Sequence, residues 1–122
     1  MNIVGKCKIL RIFIDEDLKW HNKLLYRAIV DQLLEMEIAG ATVFKGVEGF
    51  GSKAHIHSAR ILEITENLPM LIEVVDKPRQ IQKALNAVEP MLPQHCLVTV
   101  QDIQVLHYHR PSGKPVKTKK LS

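Results

Sequence analysis

The feature that most constrains this chain is a run that is apolar on two sides. From Lys6 to Ile14, Cys7, Ile9 and Phe13 fall on one side of an extended strand. Leu10, Ile12 and Ile14 fall on the other, because side chains alternate along a strand. Such a strand needs cover on both faces. Met70 to Val75 has the same character, and Leu97 to Leu106 reads as another long strand. Between them lie two stretches of helical period. Lys23 to Ala39 places Leu25, Ala28, Ile29, Leu33 and Met36 at three- and four-residue steps. Ile81, Ala84, Leu85 and Val88 do the same after Asp76-Lys77-Pro78, where proline suits a first turn. Pro90 and Pro93 end that helix.

The connections complete the order. Asp15 to Asn22 reads as a polar connection holding Trp20 and His21, with Asp15-Glu16-Asp17 a solvated turn. Trp20 reads as an anchor beside the helix start. Asn22 is the expected N-cap and Gly40 the expected C′ residue. Ala41 to Val47 is the second strand, Gly49 to Ala59 a loop, and Arg60 to Thr65 a short strand returning from it. Glu66-Asn67-Leu68-Pro69 breaks that run. The order is β-α-β-β-α-β, an α+β ferredoxin-like sandwich with an antiparallel sheet and two helices on one face. Right-handed crossovers predict the sheet order 4-1-3-2.

The opposite sheet face is apolar in the first, third and fourth strands. A chain of 122 residues has no element left to cover it, so further copies of the chain are the expected cover. Cys7 and Cys96 begin strands that run in opposite directions, which puts them at opposite ends of the sheet and predicts free thiols. Residues 1–109 are expected to form the domain and 110–122 a basic, flexible tail. Arg110, Lys114, Lys117, Lys119 and Lys120 hold most of the net charge of +4. The body is close to neutral, so no nucleic-acid partner is expected. The apolar run Ile9 to Ile14 is too short for a signal core or a membrane span, and the expected location is the cytoplasm. No nucleophile motif or carboxylate pair stands out, so the chain reads as a binding protein rather than an enzyme.

The loop carries the candidate chemistry. Gly46, Gly49 and Gly51 lie within six residues of each other, beside Lys45, Lys53, His55 and His57. The glycines are expected to let the backbone take positive φ and approach a ligand closely. The histidines are two apart and point the same way on an extended segment. His107 and His109 repeat that spacing. A divalent metal on these pairs is one reading, with His55 and His57 as ligands. Anion binding in an oligomer cleft is the other.

Several of these residues resemble those of a known group. Gly40-Ala41-Thr42-Val43 followed by Gly49-Phe50-Gly51 resembles the second strand and the loop base of the PII signalling proteins. With Trp20-His21, Ala39, Gly46, His55-Ile56-His57, Leu68-Pro69 and Glu73-Val74-Val75-Asp76, the chain is closer still to the PII-like domain-of-unknown-function 190 family. The likeness runs over about residues 7 to 109. It implies a cytoplasmic homotrimer with inward-facing sheets and a small anionic ligand, an adenine nucleotide among the candidates, between neighbouring subunits. It also implies a loop that docks on a partner such as a membrane transporter or channel. Carried over by position, Thr42 matches a threonine near the nucleotide base, Gly49, Phe50 and Gly51 match the loop base beside the phosphates, and His107 to Arg110, with His109 between them, match the region of phosphate-binding basic residues. Gly46, Lys53, His55 and His57 complete the expected ligand set. Glu89 to Cys96, in the place of the PII phosphate loop, contains no glycine, and Gly49 to Ala59 contains no tyrosine. A small related trimeric family binds divalent metals, which keeps the metal reading open.

Overall fold

A computed structural model describes residues 3–50, 57–58 and 68–110. The elements are β1 (Gly5–Asp15), β2 (Lys19–Trp20), β3 (Lys23–Leu24), α1 (Leu25–Glu35), β4 (Gly40–Lys45), β5 (Glu48–Gly49), β6 (His57–Ser58), β7 (Pro69–Asp76), α2 (Pro78–Val88) and β8 (Leu97–Val105). The four long strands form one sheet in the order β4-β7-β1-β8, every neighbouring pair antiparallel. This is the predicted order read from the other edge. Arg60 to Thr65 lies outside the described residues, as do Gly51, Lys53, His55 and the tail beyond Arg110.

The core follows the pleat. Leu10, Ile12 and Ile14 of β1 meet Val74, Ile72 and Met70 of β7 across the ladder. All six are buried beneath Leu25, Ile29 and Leu33 of α1 and Ile81, Ala84 and Val88 of α2. On the other face, Phe13, Phe44 and Leu97 remain 38%, 48% and 58% exposed. Cys7 is paired with Ile103, at the far end of β1 from Phe13 and Leu97, and both cysteines are free.

Two helix boundaries differ from expectation. The polar connection is a β-hairpin: β2 pairs with β3, and His21 (φ 49°) and Asn22 (φ 66°) make its tip. Two consecutive left-handed residues are what a two-residue hairpin turn requires. Asn22 is thereby used in the turn, and the N-cap is Leu24, without a side-chain hydrogen bond. At the other end the left-handed residue is Glu37 (φ 58°), not Gly40. Ile38 N–H donates to Leu33 C=O and Glu37 N–H to Leu34 C=O, a Schellman ending. Gly40 instead opens β4.

Candidate functional site

The loop is rooted where three chain segments meet. β4 ends at Lys45, β1 at Asp15, and Leu68-Pro69 leads into β7. Gly46 N–H donates to Pro69 C=O at 2.7 Å and Glu16 N–H to Leu68 C=O at 2.9 Å. Neither Gly46 nor Gly49 has a positive φ, so the conformational expectation fails for both. Close approach explains them. A β-carbon on Gly46 would lie 2.8 Å from Pro69 Cγ, and one on Gly49 would lie 3.2 Å from it. The neck then closes as a short ladder, with Glu48 opposite Ser58 and Gly49 opposite His57.

Glu16 is not the solvated turn residue its neighbours suggested. Its Oε2 accepts from Lys45 Nζ at 2.9 Å, and its Oε1 is buried with no partner among the described residues. That hydrogen bond is the main reason the Lys45 ammonium titrates above the ordinary lysine value. Lys45 is therefore committed to the loop root.

Phe50, the last described residue of the neck, is exposed. It lines a cavity of about 150 Å³ with Phe13, Pro69, His95, Cys96 and Leu97. The structure thus brings the loop root against the segment that precedes β8. Burial pushes the Cys96 thiol above its ordinary value. It also pushes up Cys7, whose thiol donates to Ile3 C=O at 3.1 Å. Both stay protonated at neutral pH and make poor nucleophiles.

The remaining candidates lie elsewhere. Thr42 is exposed near the middle of β4, opposite Glu73. Glu73 accepts from Arg11 Nε at 3.0 Å, and Arg11 Nη1 donates to Gln101 Oε1 at 2.8 Å. This polar row crosses the open face between apolar ones. Arg11 carried no local signal in the sequence; only the strand register aligns it with Thr42 and Glu73. His107, His109 and Arg110 follow β8 at the opposite end of the sheet from the loop root. Both histidines are exposed. The Arg110 guanidinium donates to the carbonyls of Glu37 at 2.9 Å and Ile38 at 3.3 Å. Tyr108 Oη donates to Ala39 C=O at 3.0 Å. Among the described residues, the expected ligand set is therefore spread out: Gly46, Gly49 and Phe50 at the loop root, Thr42 near the middle of β4, and His107, His109 and Arg110 beyond the opposite end of the sheet. No group of three or more metal-ligating side chains gathers among the described residues.

Known proteins share both sequence and fold with this chain. The profile of the DUF190 family, described as "Uncharacterized ACR", matches residues 7–105, and the chain belongs to that family. A UPF0166 protein of Methanocaldococcus jannaschii is 33% identical over 100 residues, 82% of this chain and 92% of that one. CPII of Thiomonas intermedia K12, a nitrogen regulatory PII-like protein solved with ADP, AMP and bicarbonate, superposes with a TM-score of 0.63 at 22% identity. It spans 85% of this chain and 92% of its own. The divalent ion tolerance protein CutA1 of Ehrlichia chaffeensis superposes with a TM-score of 0.53 at 17% identity, over 86% of each chain.

Proposed function

We propose that this DUF190 chain is a PII-like signalling subunit. Three copies bind a small anionic ligand between neighbours and present the Gly49–Ala59 loop to a partner protein. The observation that carries this reading is the division of the candidate residues. Gly46, Gly49 and Phe50 sit at one end of the sheet and His107, His109 and Arg110 follow the strand at the other. The length of β8 separates the two groups within one chain, whereas the end of one copy can meet the loop root of the next. The exposed Phe13, Phe44 and Leu97 supply the apolar surface such a contact needs. Adenine nucleotides and bicarbonate are the first ligands to test, because CPII was solved with them. The partner is a transporter, a channel or an enzyme met through the loop.

The test is thermal unfolding of the full chain, with its mass in solution known, against ADP, AMP, bicarbonate and divalent cations. A ligand at about 100 times its Kd adds about 2.7 kcal/mol of stability. A shift with nucleotide or bicarbonate on a trimer supports the reading. A stable monomer, or a trimer that none of these stabilises, overturns it. A trimer with no shift would leave a ligand-free docking subunit. The likeness to CutA1 favours one further reading, a divalent cation held by His55, His57, His107 and His109. It requires a shift with cations alone, abolished by chelator and by the His55→Ala/His57→Ala double variant.

A further inference from the structure

A cavity of about 980 Å³ lies away from the loop, between the β2–β3 hairpin, α1 and Met91. Its size falls in the range of small-molecule sites, roughly 300–1,000 Å³. The floor is apolar, made by Leu24, Ala28 and Met91. Ala28 is buried, and its short side chain leaves the helix surface recessed there. The half-buried Trp20 forms a wall, its ring stacked on His21 with centroids 4.3 Å apart and planes 9° from parallel.

Three cations ring the hairpin end: Lys19, Lys23 and Arg27. Lys23 Nζ is held by Asp31 at 2.7 Å. Lys19 has no acceptor among the described residues. Arg27 lies one turn from Asp31, yet its guanidinium sits over the Tyr26 ring, 5.4 Å from the centroid. Its polar contact there is the Tyr26 hydroxyl at 3.4 Å. With Lys23 and Asp31 neutralising each other, Lys19 and Arg27 leave this end of the cavity positive.

The order of charges is the second observation. Lys23, Arg27, Asp31 and Glu35 follow at four-residue steps. α1 has no acidic residue in its first turn and no basic residue in its last. Cations before carboxylates oppose the helix dipole, and the basic-to-acidic orientation is the weaker one for pairs four apart. A row that served helix stability alone would run the other way.

We propose that this groove is a second ligand site, for a small organic anion with a flat apolar body. The anionic group, a carboxylate or a phosphate, meets Lys19 and Arg27. The flat body lies on Leu24, Ala28 and Met91 beside Trp20. The groove is on the helix side of the sheet and is independent of the loop-root reading and of any contact made through the open face.

Trp20 is the sole tryptophan, so its indole N–H gives a single nitrogen-15 NMR signal. The full chain is titrated with AMP, 2-naphthoate, adenosine and inorganic phosphate. Saturable movement of the Trp20 indole signal and the amides of residues 19–35 is expected with AMP, with 2-naphthoate, or with both. Whichever binds distinguishes phosphate from carboxylate. Adenosine and inorganic phosphate should bind at least about tenfold more weakly, a difference of about 1.4 kcal/mol. The Lys19→Glu/Arg27→Glu variant should lose the same factor while keeping its far-ultraviolet circular dichroism, and Lys19→Glu alone, at an exposed position, should weaken binding with the melting temperature unchanged. The proposal is overturned if neither ring-bearing anion moves these signals, if adenosine binds as tightly as AMP, or if the double variant binds unchanged. Movement confined to the amides of residues 46–50 also overturns it and speaks for the loop root instead. The two sites thus fail separately.

Discussion

On the helix side of the sheet, Leu10, Ile12, Ile72 and Val74 are completely buried, whereas Phe13, Phe44 and Leu97 on the other side are about half exposed. Leu10, Ile12 and Phe13 come from the same strand at alternating positions. Their hydropathy is alike, and the difference lies in what stands opposite: two amphipathic helices on one side, no described element of this chain on the other. The open face is also not uniformly apolar. Arg11, Glu73 and Gln101 cross it as one hydrogen-bonded row. A second surface packed there must match this row as well as the apolar ones, which favours one register over others. Burial explains the first face by packing alone; the second has the features of a surface that selects its partner.

The largest effect is expected from a charge placed on the open face. Phe13→Asp is expected to reduce the mass in solution to that of one 13.9 kDa chain, with far-ultraviolet circular dichroism unchanged. A variant that keeps the wild-type mass would show that copies meet elsewhere. On the closed face, Ile72→Ala should lower unfolding stability by about 2–5 kcal/mol, read by urea denaturation. A much smaller loss would mean that the helices do not close this face tightly.

Smaller effects test the two ends of the sheet. Asp76 is buried and accepts from Ala39 N–H at 2.8 Å and from Lys77 N–H at 2.7 Å. Asp76→Ala orphans both donors and should cost about 1–3 kcal/mol. At the loop root, Gly46→Ala forces its new methyl against Pro69 and should cost about 1–3 kcal/mol. Gly40→Ala meets nothing within 4 Å among the described residues and should be neutral or stabilising by about 0.4–1 kcal/mol. Equal effects at the two glycines would refute close approach as the reason for Gly46.

The smallest effect is on pH dependence. The hydrogen bond from Lys8 holds the Asp102 carboxyl below the ordinary carboxylate value. Its stabilisation is present above that ordinary value and is lost as pH falls through the lowered one. Lys45, raised by Glu16, behaves oppositely. Its contribution is complete below the ordinary lysine value and is lost as pH rises through the raised one. Lys45→Met should therefore flatten the alkaline limb of the stability profile, and Lys8→Met the acid limb. Both changes are slight, because exposed pairs are screened.

The amino-acid sequence alone carried the six main elements, the sheet order and most of each buried stripe: Leu25, Ala28, Ile29, Leu33, Ile81, Ala84 and Val88 are buried, whereas the expected Met36 and Leu85 are only partly so. It also separated Cys7 from Cys96. These follow from periodicity and handedness, which act over neighbouring residues. Local chemistry misled where a residue had two uses. Asn22 is as good in a hairpin turn as at an N-cap, and Glu37 took the left-handed position that Gly40 suits better. Why Gly46 and Gly49 are glycines is visible only in three dimensions, since Pro69, the residue they approach, is remote in sequence. The same holds for the commitment of Lys45 to Glu16, the tie from Arg110 to Glu37 and Ile38, the polar row of Arg11, and the groove beneath Trp20. Each depends on atoms that strand register and crossovers bring together, and a linear pattern carries no record of those distances.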